Sequence, residues 1–405
     1  MSKNVPEVRF EGFSGGWRPI NLSELMDFSN GINAPKESYG KGRKMISVMD
    51  ILDKSYLKYE NIKNSVEVSP SIEEKNKVEY GDLIFVRSSE VAEEVGWSKA
   101  YLEKEYALYS GFSIRGKKKG SFNPSFVELS LNYINRKQIE RKSGGSTRFN
   151  ISQTILNTIE ILKASNEEQQ KIGTFFKELD DMITLQQQLI EQQQQYKKAM
   201  LQKMFPQKGE RVPKIRFDGF SGDWAEKKLE YFIQDYTEKT TILNQYPVLT
   251  SSQKYGIILQ EEYFADRQVT TNNNIGYFVL PRGYFTFRSR SDNGVFKFNR
   301  NDLIDRGIIS YFYPVFSIVN GDSNFFLMLL NSTIKRQVSL EAEGTGQRVL
   351  SLKKFKNIKV LIPPLGEQQK IGLFFKELDD TIALHQKKCE DYQQLKKGLL
   401  QRMFV

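Results

Sequence analysis

Two short acidic runs contain residue types that could do chemistry. Glu178, Asp180 and Asp181 form one run, and the same pattern returns at residues 377–380. Carboxylates can bind a metal ion or transfer protons, but adjacent residues of a helix point about 100° apart, and no histidine ligand accompanies either run. We therefore expect these carboxylates to form a polar surface that contacts water or a partner. Their repetition favours recognition over catalysis.

The side chains that enzymes most often use as nucleophile or general base are scarce. The chain has a single cysteine, Cys389, and a single histidine, His385, which excludes an internal disulfide and a Cys/His zinc site. NPSF, from Asn123, is similar to the Asn-Pro-Pro-aromatic loop of amino-methyltransferases, but it lacks the second proline. No glycine-rich loop for S-adenosylmethionine precedes it, and no GxxxxGK[ST] phosphate-binding loop occurs. NPSF is therefore interpreted as an Asn-Pro turn.

Side chains suited to nucleic-acid binding follow two apolar runs. FVRSSE, from Phe85, and TFRSRSDN, from Thr286, place arginine and serine directly after predicted strands. Arginine can bond to guanine O6 and N7, asparagine and glutamine to adenine N6 and N7, and serine to bases or phosphates. QVTTNNN, from Gln268, adds amides on a predicted loop. For each segment by itself, a turn or a solvated strand edge is the alternative.

The net charge of +10 is concentrated in two long segments. Residues 1–160 hold 24 basic against 21 acidic residues, and residues 211–365 hold 21 against 15. Residues 115–148 alone hold nine basic residues against two acidic ones. A basic stripe suits a polyanion because each neutralised phosphate releases counterions, and a solvated surface is the alternative. The candidate contacts to nucleic acid are Arg87, Ser88, Arg115, Lys117, Lys118, Lys119, Arg141, Lys142, Arg148, Arg267, Asn273, Arg288, Arg290, Asn293, Lys297, Arg300, Gln347 and Arg348.

The elements that must position these residues are duplicated. EQQKIGTFFKELDD, from Glu168, returns as EQQKIGLFFKELDD, from Glu367, with one change in fourteen positions. VPEVRFEGFSGGW, from Val5, likewise aligns with VPKIRFDGFSGDW, from Val212. Between the matched ends, the inserts at residues 20–125 and 227–325 look unrelated. The sequence therefore predicts one shared frame that carries two different inserts.

Both copies of the repeated segment are predicted to be long helices. Residues 168–205 contain no proline and are rich in Leu, Met, Gln, Glu and Lys. Apolar residues recur on a seven-residue pattern, which predicts an intramolecular coiled coil between the copies; the alternative is that each copy packs on its own globular domain. At 1.5 Å per residue, such a helix would extend about 57 Å. The residues placed on the packed stripe are Ile172, Phe175, Leu179, Met182, Leu189, Ile371, Phe374, Leu378 and Leu395.

The remaining segments are predicted to be mainly β-strands in a curved sheet, with helices near Phe126–Ile139 and Phe325–Val338. They contain short β-branched and aromatic runs separated by turn residues. No run of about 18 apolar residues occurs, and the first residues lack the apolar core of a secretory signal. A cytoplasmic protein with no membrane association is expected. The predicted strands fall within residues 44–51, 81–89, 106–114, 246–252, 276–291, 294–300 and 307–316.

The whole arrangement resembles the DNA-specificity subunit of type I restriction-modification systems. The resemblance rests on EQQKIG at Glu168 and Glu367, on PPLGEQQKIG from Pro363, and on the tryptophan-containing starts at Trp17 and Trp224. It covers essentially the whole chain. The first copy departs from the pattern because it has KASNEEQ where the second copy has IPPLGEQ.

The resemblance implies an α+β fold built as a pseudo-twofold tandem repeat. Two mixed α/β target-recognition domains, at residues 1–160 and 207–365, would be separated by long helices at 161–206 and 366–405. The helices would form an intramolecular antiparallel coiled coil and would act as a spacer.

The resemblance also implies a non-catalytic subunit that reads a bipartite, asymmetric target in double-stranded DNA with a fixed gap. It would dock modification (methyltransferase) subunits, expected to be two in number, and restriction subunits that cleave and translocate DNA. The chain would bind no cofactor, and S-adenosylmethionine would be bound by the modification subunits. Three alternatives stay open: a methyltransferase or fused nuclease, a coiled-coil adaptor whose globular domains bind protein, and a specificity module of another restriction-modification type.

Overall fold

The chain folds into two compact units. The computed structural model describes residues 4–53, 55–145, 147–264 and 273–405. Unit 1 contains residues 1–188 and 386–405, and unit 2 contains residues 189–385. Each unit therefore combines one globular segment with part of both long helices. Within the described ranges, no helix has the length and apolar character needed to cross a membrane.

The globular segment of unit 1 is a mixture of short strands and helices. Strands β2, β9, β5 and β7 form a four-stranded antiparallel sheet in that order, and β4, β3 and β8 form a second sheet; β1 pairs with β11, and β6 pairs with β10. The elements are β1 (Arg18–Asn21), α1 (Leu22–Leu25), β2 (Met26–Asn30), β3 (Tyr39–Ile46), α2 (Val48–Leu52), β4 (Ser65–Val66), α3 (Pro70–Lys75), β5 (Leu83–Val86), β6 (Ser88–Ser89), β7 (Ser98–Ala100), β8 (Leu108–Tyr109), β9 (Ser113–Lys118), α4 (Pro124–Leu129), α5 (Arg136–Lys142), β10 (Phe149–Asn150), α6 (Gln153–Asn157) and β11 (Glu160–Lys163), with a π-helical turn at Ser130–Ile134.

Unit 2 repeats this plan. Strands β13, β21, β17 and β19 form a four-stranded antiparallel sheet in the order of β2, β9, β5 and β7, and β18 pairs with β22 as β6 pairs with β10. The two inserts, which look unrelated in sequence, therefore share one strand order. The elements from the first long helix onward are α7 (Asn166–Met204), β12 (Ala225–Lys228), β13 (Ile233–Tyr236), β14 (Leu249–Ser252), β15 (Gly256–Leu259), α8 (Gln260–Phe264), β16 (Phe278–Pro281), β17 (Phe285–Phe287), β18 (Arg290–Ser291), β19 (Phe298–Arg300), β20 (Arg306–Ile309), β21 (Val315–Ile318), α9 (Ser323–Ser332), α10 (Lys335–Glu341), β22 (Arg348–Val349), α11 (Leu352–Lys356), β23 (Lys359–Ile362) and α12 (Leu365–Met403).

Most of the predicted elements are confirmed. Both repeated segments are helices of 39 residues, and the strand predictions fall on observed strands with one exception. Residues 48–51, the end of the first predicted strand segment, instead belong to the helix Val48–Leu52. Its start is set by a capping box, because the Asp50 carboxylate accepts a hydrogen bond from the Ser47 backbone N–H at 2.8 Å.

The glutamate of each EQQKIG motif anchors the start of its long helix. Glu168 is buried and accepts hydrogen bonds from Arg9 Nε at 2.6 Å and Nη2 at 2.7 Å. In unit 2, Glu367 accepts from Arg216 Nε and Nη2, both at 2.7 Å. A buried carboxylate needs a bidentate partner of this kind to offset its desolvation. The duplicated arginine and glutamate therefore join the first residues of each repeat to its helix.

The following glutamine and the glycine let a second helix approach closely. Gln169 Oε1 accepts from the Asn123 backbone N–H at 3.0 Å, and Gln368 does the same for Asp322 at 3.1 Å. The Asn123 side chain caps α4 by accepting from the Phe126 N–H at 2.9 Å, so NPSF, predicted as an Asn-Pro turn, forms the capped start of a helix. A Cβ at Gly173 would lie 2.3 Å from Asn123 Oδ1. Glycine is therefore required at this crossing.

The Met-Phe end of each long helix packs into a globular segment. In unit 1, the Phe404 ring stacks on Phe126 with centroids 5.2 Å apart and meets Trp17 edge-on at 5.8 Å. In unit 2, the Phe205 ring stacks on Phe325 at 5.7 Å and meets Trp224 edge-on at 5.7 Å. Such aromatic contacts contribute beyond the area that they bury. The end of a long helix therefore packs against equivalent aromatic residues in both units.

The two long helices also contact each other within each unit. In unit 1, Lys396 Nζ donates to the Asp180 carboxylate at 2.6 and 2.8 Å, and in unit 2 Lys197 pairs with Asp379. An early position of one helix therefore meets a late position of the other, which is an antiparallel arrangement at both places. The acidic runs contain these paired aspartates.

The predicted packing stripe is wrong at two positions. Met182 and Leu395 are 40% and 49% exposed, whereas the stripe in α7 runs through buried Phe176 and Ile183 beside Ile172 and Leu179. Adjacent apolar residues occur at 175–176 and 182–183, so a seven-residue pattern alone does not choose between them. Phe175 and Phe374 are half-buried and instead contact Phe10 at 5.8 Å and Phe217 at 6.3 Å. The second copy indicates which position is buried. It has polar Thr381 where the first copy has Met182, and apolar Ile382 where the first copy has Ile183.

Candidate nucleic-acid interface

Arg115 lies in the core of unit 1 and not on its surface. It is 7% exposed, its Nη1 donates to the Lys77 carbonyl, and its guanidinium lies 5.6 Å from the centroid of the Tyr109 ring. Its assignment as a nucleic-acid contact is therefore wrong. A strand residue whose side chain points inward can be cationic when a backbone carbonyl accepts from it and an aromatic ring lies beside it.

The predicted basic stripe is not one continuous patch. Lys117 pairs with Glu79 at 3.0 Å, and Lys119 pairs with Asp27 at 3.2 Å, while Lys118 lies over the Phe122 ring at 5.1 Å. These lysines lie at or just after the end of β9, about 13–20 Å from its first residue. Acidic neighbours far away in sequence neutralise two of them, so the cluster has less free charge than its composition indicates.

At the other end of β9, the fold brings three of the candidates together. The pairing of β6 with β10 places Arg148 Nε 2.9 Å from Ser88 Oγ, and Arg87 Nη1 donates to the Gly111 carbonyl at 3.3 Å. The Arg148 guanidinium lies 6.0 Å from the centroid of the Phe112 ring, which is 57% exposed. We call Ser88, Phe112 and Arg148 the corner of unit 1.

A tight turn precedes Arg148. Gly145 has a φ of +123°, and a Cβ there would lie 2.1 Å from the Arg148 carbonyl oxygen. Glycine is therefore required for the chain to turn back into β10. Arg141 and Lys142, at the end of α5, are exposed beside this turn, and Lys142 Nζ donates to the Thr158 carbonyl at 2.7 Å.

Unit 2 forms a corner at the same place. The pairing of β18 with β22 puts the Arg290 guanidinium 4.8 Å from the centroid of the Phe312 ring. Gln347 Nε2 donates to Asp292 Oδ1 at 2.8 Å, and Arg348 Nη1 donates to the Ala342 carbonyl at 3.0 Å. We call Arg290, Phe312 and Gln347 the corner of unit 2.

A cleft of about 550 Å³ opens beside the corner of unit 2. Its walls include Arg288, Arg290, Lys297 and Tyr313 together with serine and threonine hydroxyls of β14. Burial raises the pKa of Tyr313, and the neighbouring Arg288 opposes that change. Burial, then Lys335 and Lys197, lower the pKa of Lys297. The cleft therefore combines positive charge, hydroxyl groups and aromatic surface, which suits an anionic, base-bearing ligand.

Several candidates of unit 2 are already used within the protein. Asn293 Oδ1 accepts from Ser291 Oγ at 2.9 Å and from the Val295 N–H at 3.0 Å, which makes it a turn residue. Arg300 Nε donates to Asp302 at 2.7 Å, and its Nη1 donates to Ser323 at 2.9 Å. Asn273 Oδ1 accepts from the Ile275 N–H at 3.0 Å. Arg267 lies outside the described residues.

Comparison with known proteins finds similarity to the specificity subunits of type I restriction enzymes. Residues 222–392 match the family model described as the type I restriction modification DNA specificity domain. The chain is 22% identical over 402 residues to the putative type I restriction enzyme MjaX specificity subunit of Methanocaldococcus jannaschii, covering 95% of this chain and 92% of the relative. The chain is thus similar to a specificity subunit of a type I restriction enzyme over nearly its whole length.

Two further proteins are similar to this chain, one over a short segment and one over nearly its whole length. The type I restriction enzyme MjaVIII specificity subunit of Methanocaldococcus jannaschii is 33% identical over 81 residues, which are 20% of this chain and 18% of the relative. The crystal structure of a type I restriction-modification system S subunit from M. genitalium matches with a TM-score of 0.65 and 15% identity, over 99% of both chains. The latter shows a shared fold of mixed helix and sheet.

Sequence reasoning missed the aromatic residues of the two corners. Phe112 and Phe312 lie in runs that were assigned only to strands, and Tyr313 was not singled out. The signal was present, because YSGF and SYFY each place aromatic residues just before a strand at corresponding points of the two inserts. An arginine beside an exposed aromatic ring is common at nucleic-acid surfaces, where planar groups stack.

Proposed function

We propose that this chain reads a bipartite, asymmetric target in double-stranded DNA, with unit 1 reading one half-site and unit 2 the other. The supporting observation is that the two corners occupy the same place in the same strand order but present different side chains. Unit 1 has Ser88 and Arg148 where unit 2 has Arg290 and Gln347. A shared frame with different contacts favours two half-sites of unlike sequence.

The contacts divide into those that read bases and those that hold the backbone. Arg148, Arg288 and Arg290 are exposed at the corners and the cleft, and arginine can bond to two acceptors on one base. Exposed lysines and arginines away from the corners would bind phosphate, which orients the protein without reading sequence. Most of the specificity is therefore assigned to the corners and the cleft.

The long helices are proposed to fix the gap between the half-sites. Each helix has 39 residues, which corresponds to about 58 Å at 1.5 Å per residue. The contacts of Asp180 with Lys396 and of Lys197 with Asp379 support antiparallel pairing of the two helices within each unit. A paired helix is stiffer than a loop, so the gap would be constant.

The exposed faces of these helices are the proposed docking sites for two modification subunits. Met182 and Leu185 are exposed three residues apart on α7, and Leu373 and Leu384 are exposed on α12. Large apolar side chains exposed along a helix mark a surface that a partner helix can cover. The modification subunits would carry S-adenosylmethionine and the catalytic residues, and restriction subunits would join the same complex.

Fluorescence anisotropy with duplex DNA in a salt series tests this function. If each unit contacts several phosphates, the affinity of the full chain with its modification subunits should fall by roughly 10³-fold or more between 50 and 200 mM salt. Binding that is absent or insensitive to salt would support the protein-binding adaptor. Methylation by the isolated chain with S-adenosylmethionine would instead support an enzyme.

A further inference from the structure

Both units place an arginine guanidinium on a phenylalanine ring. The Arg148 Cζ atom lies 6.0 Å from the Phe112 centroid, and the Arg290 Cζ atom lies 4.8 Å from the Phe312 centroid. The two phenylalanines are equivalent, because the Phe112 carbonyl accepts from the Arg87 N–H at 2.9 Å and the Phe312 carbonyl accepts from the Ser289 N–H at 3.0 Å. The backbone of each phenylalanine is therefore hydrogen-bonded to a residue one or two positions after the central strand, β5 or β17.

The two arginines reach this common place from different strands. Arg148 directly precedes β10, whereas Arg290 is the first residue of β18. In the paired strands, Asn150 is opposite Ser88 and Val349 is opposite Arg290. Ser88 is thus the equivalent of Arg290, and the repeat offset of 199 makes Gln347 the equivalent of Arg148. The two units therefore place an arginine beside the equivalent phenylalanine, but from positions of the repeat that are not equivalent.

Both guanidiniums keep donors available. Arg290 has the Phe312 ring as a neighbour and donates no hydrogen bond within the part of the chain that the structure describes, and Arg148 uses only Nε, toward Ser88 Oγ at 2.9 Å. An aromatic ring under a planar guanidinium restricts its rotation while leaving its N–H edge exposed. Two parallel N–H groups in a fixed orientation match the O6 and N7 acceptors of guanine in the major groove.

We propose that the Arg148–Phe112 pair and the Arg290–Phe312 pair each read one guanine, so that each half-site contains a G·C base pair whose recognition depends on that arginine. The inference rests on the proposed function, because it requires that each unit reads one half-site. It adds which residue reads which base, and it assigns the phenylalanine as the residue that positions the arginine.

Selection from a fully randomised duplex DNA pool, followed by sequencing, tests the inference on the complex of the full chain with its modification subunits. Arg148→Gln should reduce the preference for guanine at one position of one half-site by about 5- to 150-fold and leave the other half-site unchanged. Arg148→Lys should lose the same preference, because lysine keeps the charge but not the paired donors. Arg290→Ser should reduce the preference for guanine in the other half-site only.

A double variant provides the matched control. Ser88→Arg combined with Arg148→Gln gives unit 1 the arrangement of unit 2, and it should restore the guanine that Arg148→Gln alone loses. Unchanged preferences in Arg148→Gln, or an equal loss from both half-sites at an unchanged melting temperature, would overturn the inference. If the wild-type complex itself selects no sequence, the proposed function fails, which is a different result.

Discussion

Glu168, Gln169 and Gly173 of the repeated motif each have a different structural task. The glutamate is paired with Arg9, the glutamine binds the backbone at Asn123, and the glycine leaves room for the Asn123 side chain. The same three tasks recur in unit 2. The motif is repeated because two globular segments must be joined to two helices by the same short-range contacts.

Replacing Gly372 should show how strict this crossing is. In Gly372→Ala, the new Cβ would lie 2.3 Å from Asp322 Oδ1 and 2.7 Å from the Phe325 nitrogen, which are the two atoms of a helix cap. We expect unit 2 to lose about 1–3 kcal/mol of stability, measured by urea unfolding. Gly398→Ala in the same helix meets nothing within 4 Å and should stabilise by about 0.5–1 kcal/mol. Equal effects of the two changes would contradict the crowding at Gly372.

Arg288 at the cleft of unit 2 should affect only one half-site. Arg288→Ala removes an exposed guanidinium from the cleft wall, and loss of one bidentate base contact corresponds to about 1–3 kcal/mol of discrimination. Methylation patterns of the reconstituted complex on genomic DNA should show relaxed preference in one half-site and an unchanged second half-site. Identical patterns for Arg288→Ala and wild type would remove this residue from the reading surface.

Among the elements, the sheet and the long helices have separate tasks. The four-stranded sheets keep one order in both units, although their sequences share little, because alternating burial and antiparallel pairing can be met by many side chains. The helices instead depend on particular charges at two crossings, Asp180 with Lys396 and Asp379 with Lys197. These ion pairs are partly exposed, so a substitution at a crossing should cost less stability than one at a buried strand position.

Reversing one charge at a crossing tests the helix pairing. Lys197→Asp would place two carboxylates together and should destabilise unit 2 by about 1 kcal/mol or less, because the pair is partly exposed. Lys197→Asp with Asp379→Lys should recover most of that loss, whereas Lys198→Asp, at an exposed neighbouring position, should have little effect. Urea midpoints of the four proteins provide the measurement. No recovery in the double variant would argue against the antiparallel contact.

At the scale of the whole molecule, the long helices are proposed to set the distance between the two DNA half-sites. Both are continuous over 39 residues, and each contributes one end to each unit. A change of helix length is therefore expected to alter the distance over which DNA is read, without altering the half-sites themselves. Helix length would therefore control the gap, whereas the corners would control the sequences of the half-sites.

Lengthening both helices should lengthen the gap. Insertion of four residues near Gln192, matched by four near Gln386 to keep the helices paired, adds about 6 Å, which is close to two base pairs of B-DNA. We expect the complex to methylate sites whose gap is about two base pairs longer. The same insertion in the loop after Met204 should leave the gap unchanged. Retention of the original gap in the helix variant would show that the helices do not set it.

The sequence by itself determined the duplication, both long helices and most of the strands. Repeats and periodic patterns are local properties, so they can be recognised without knowing which residues meet. The sequence also determined which kinds of side chain could bind nucleic acid. The structure places three of the predicted contacts, Arg148, Ser88 and Arg290, at the corners. Their role in reading DNA stays a prediction.

Only the tertiary structure decided which candidates are available. Arg115 is buried and donates to the carbonyl of Lys77, and Lys117 pairs with Glu79, through contacts between segments that are distant in sequence. The tertiary structure also decided that arginines from two different strands lie on equivalent phenylalanines. Charge and aromatic content can be counted along a chain, but neutralisation and stacking depend on atoms only a few ångströms apart, which folding alone brings together.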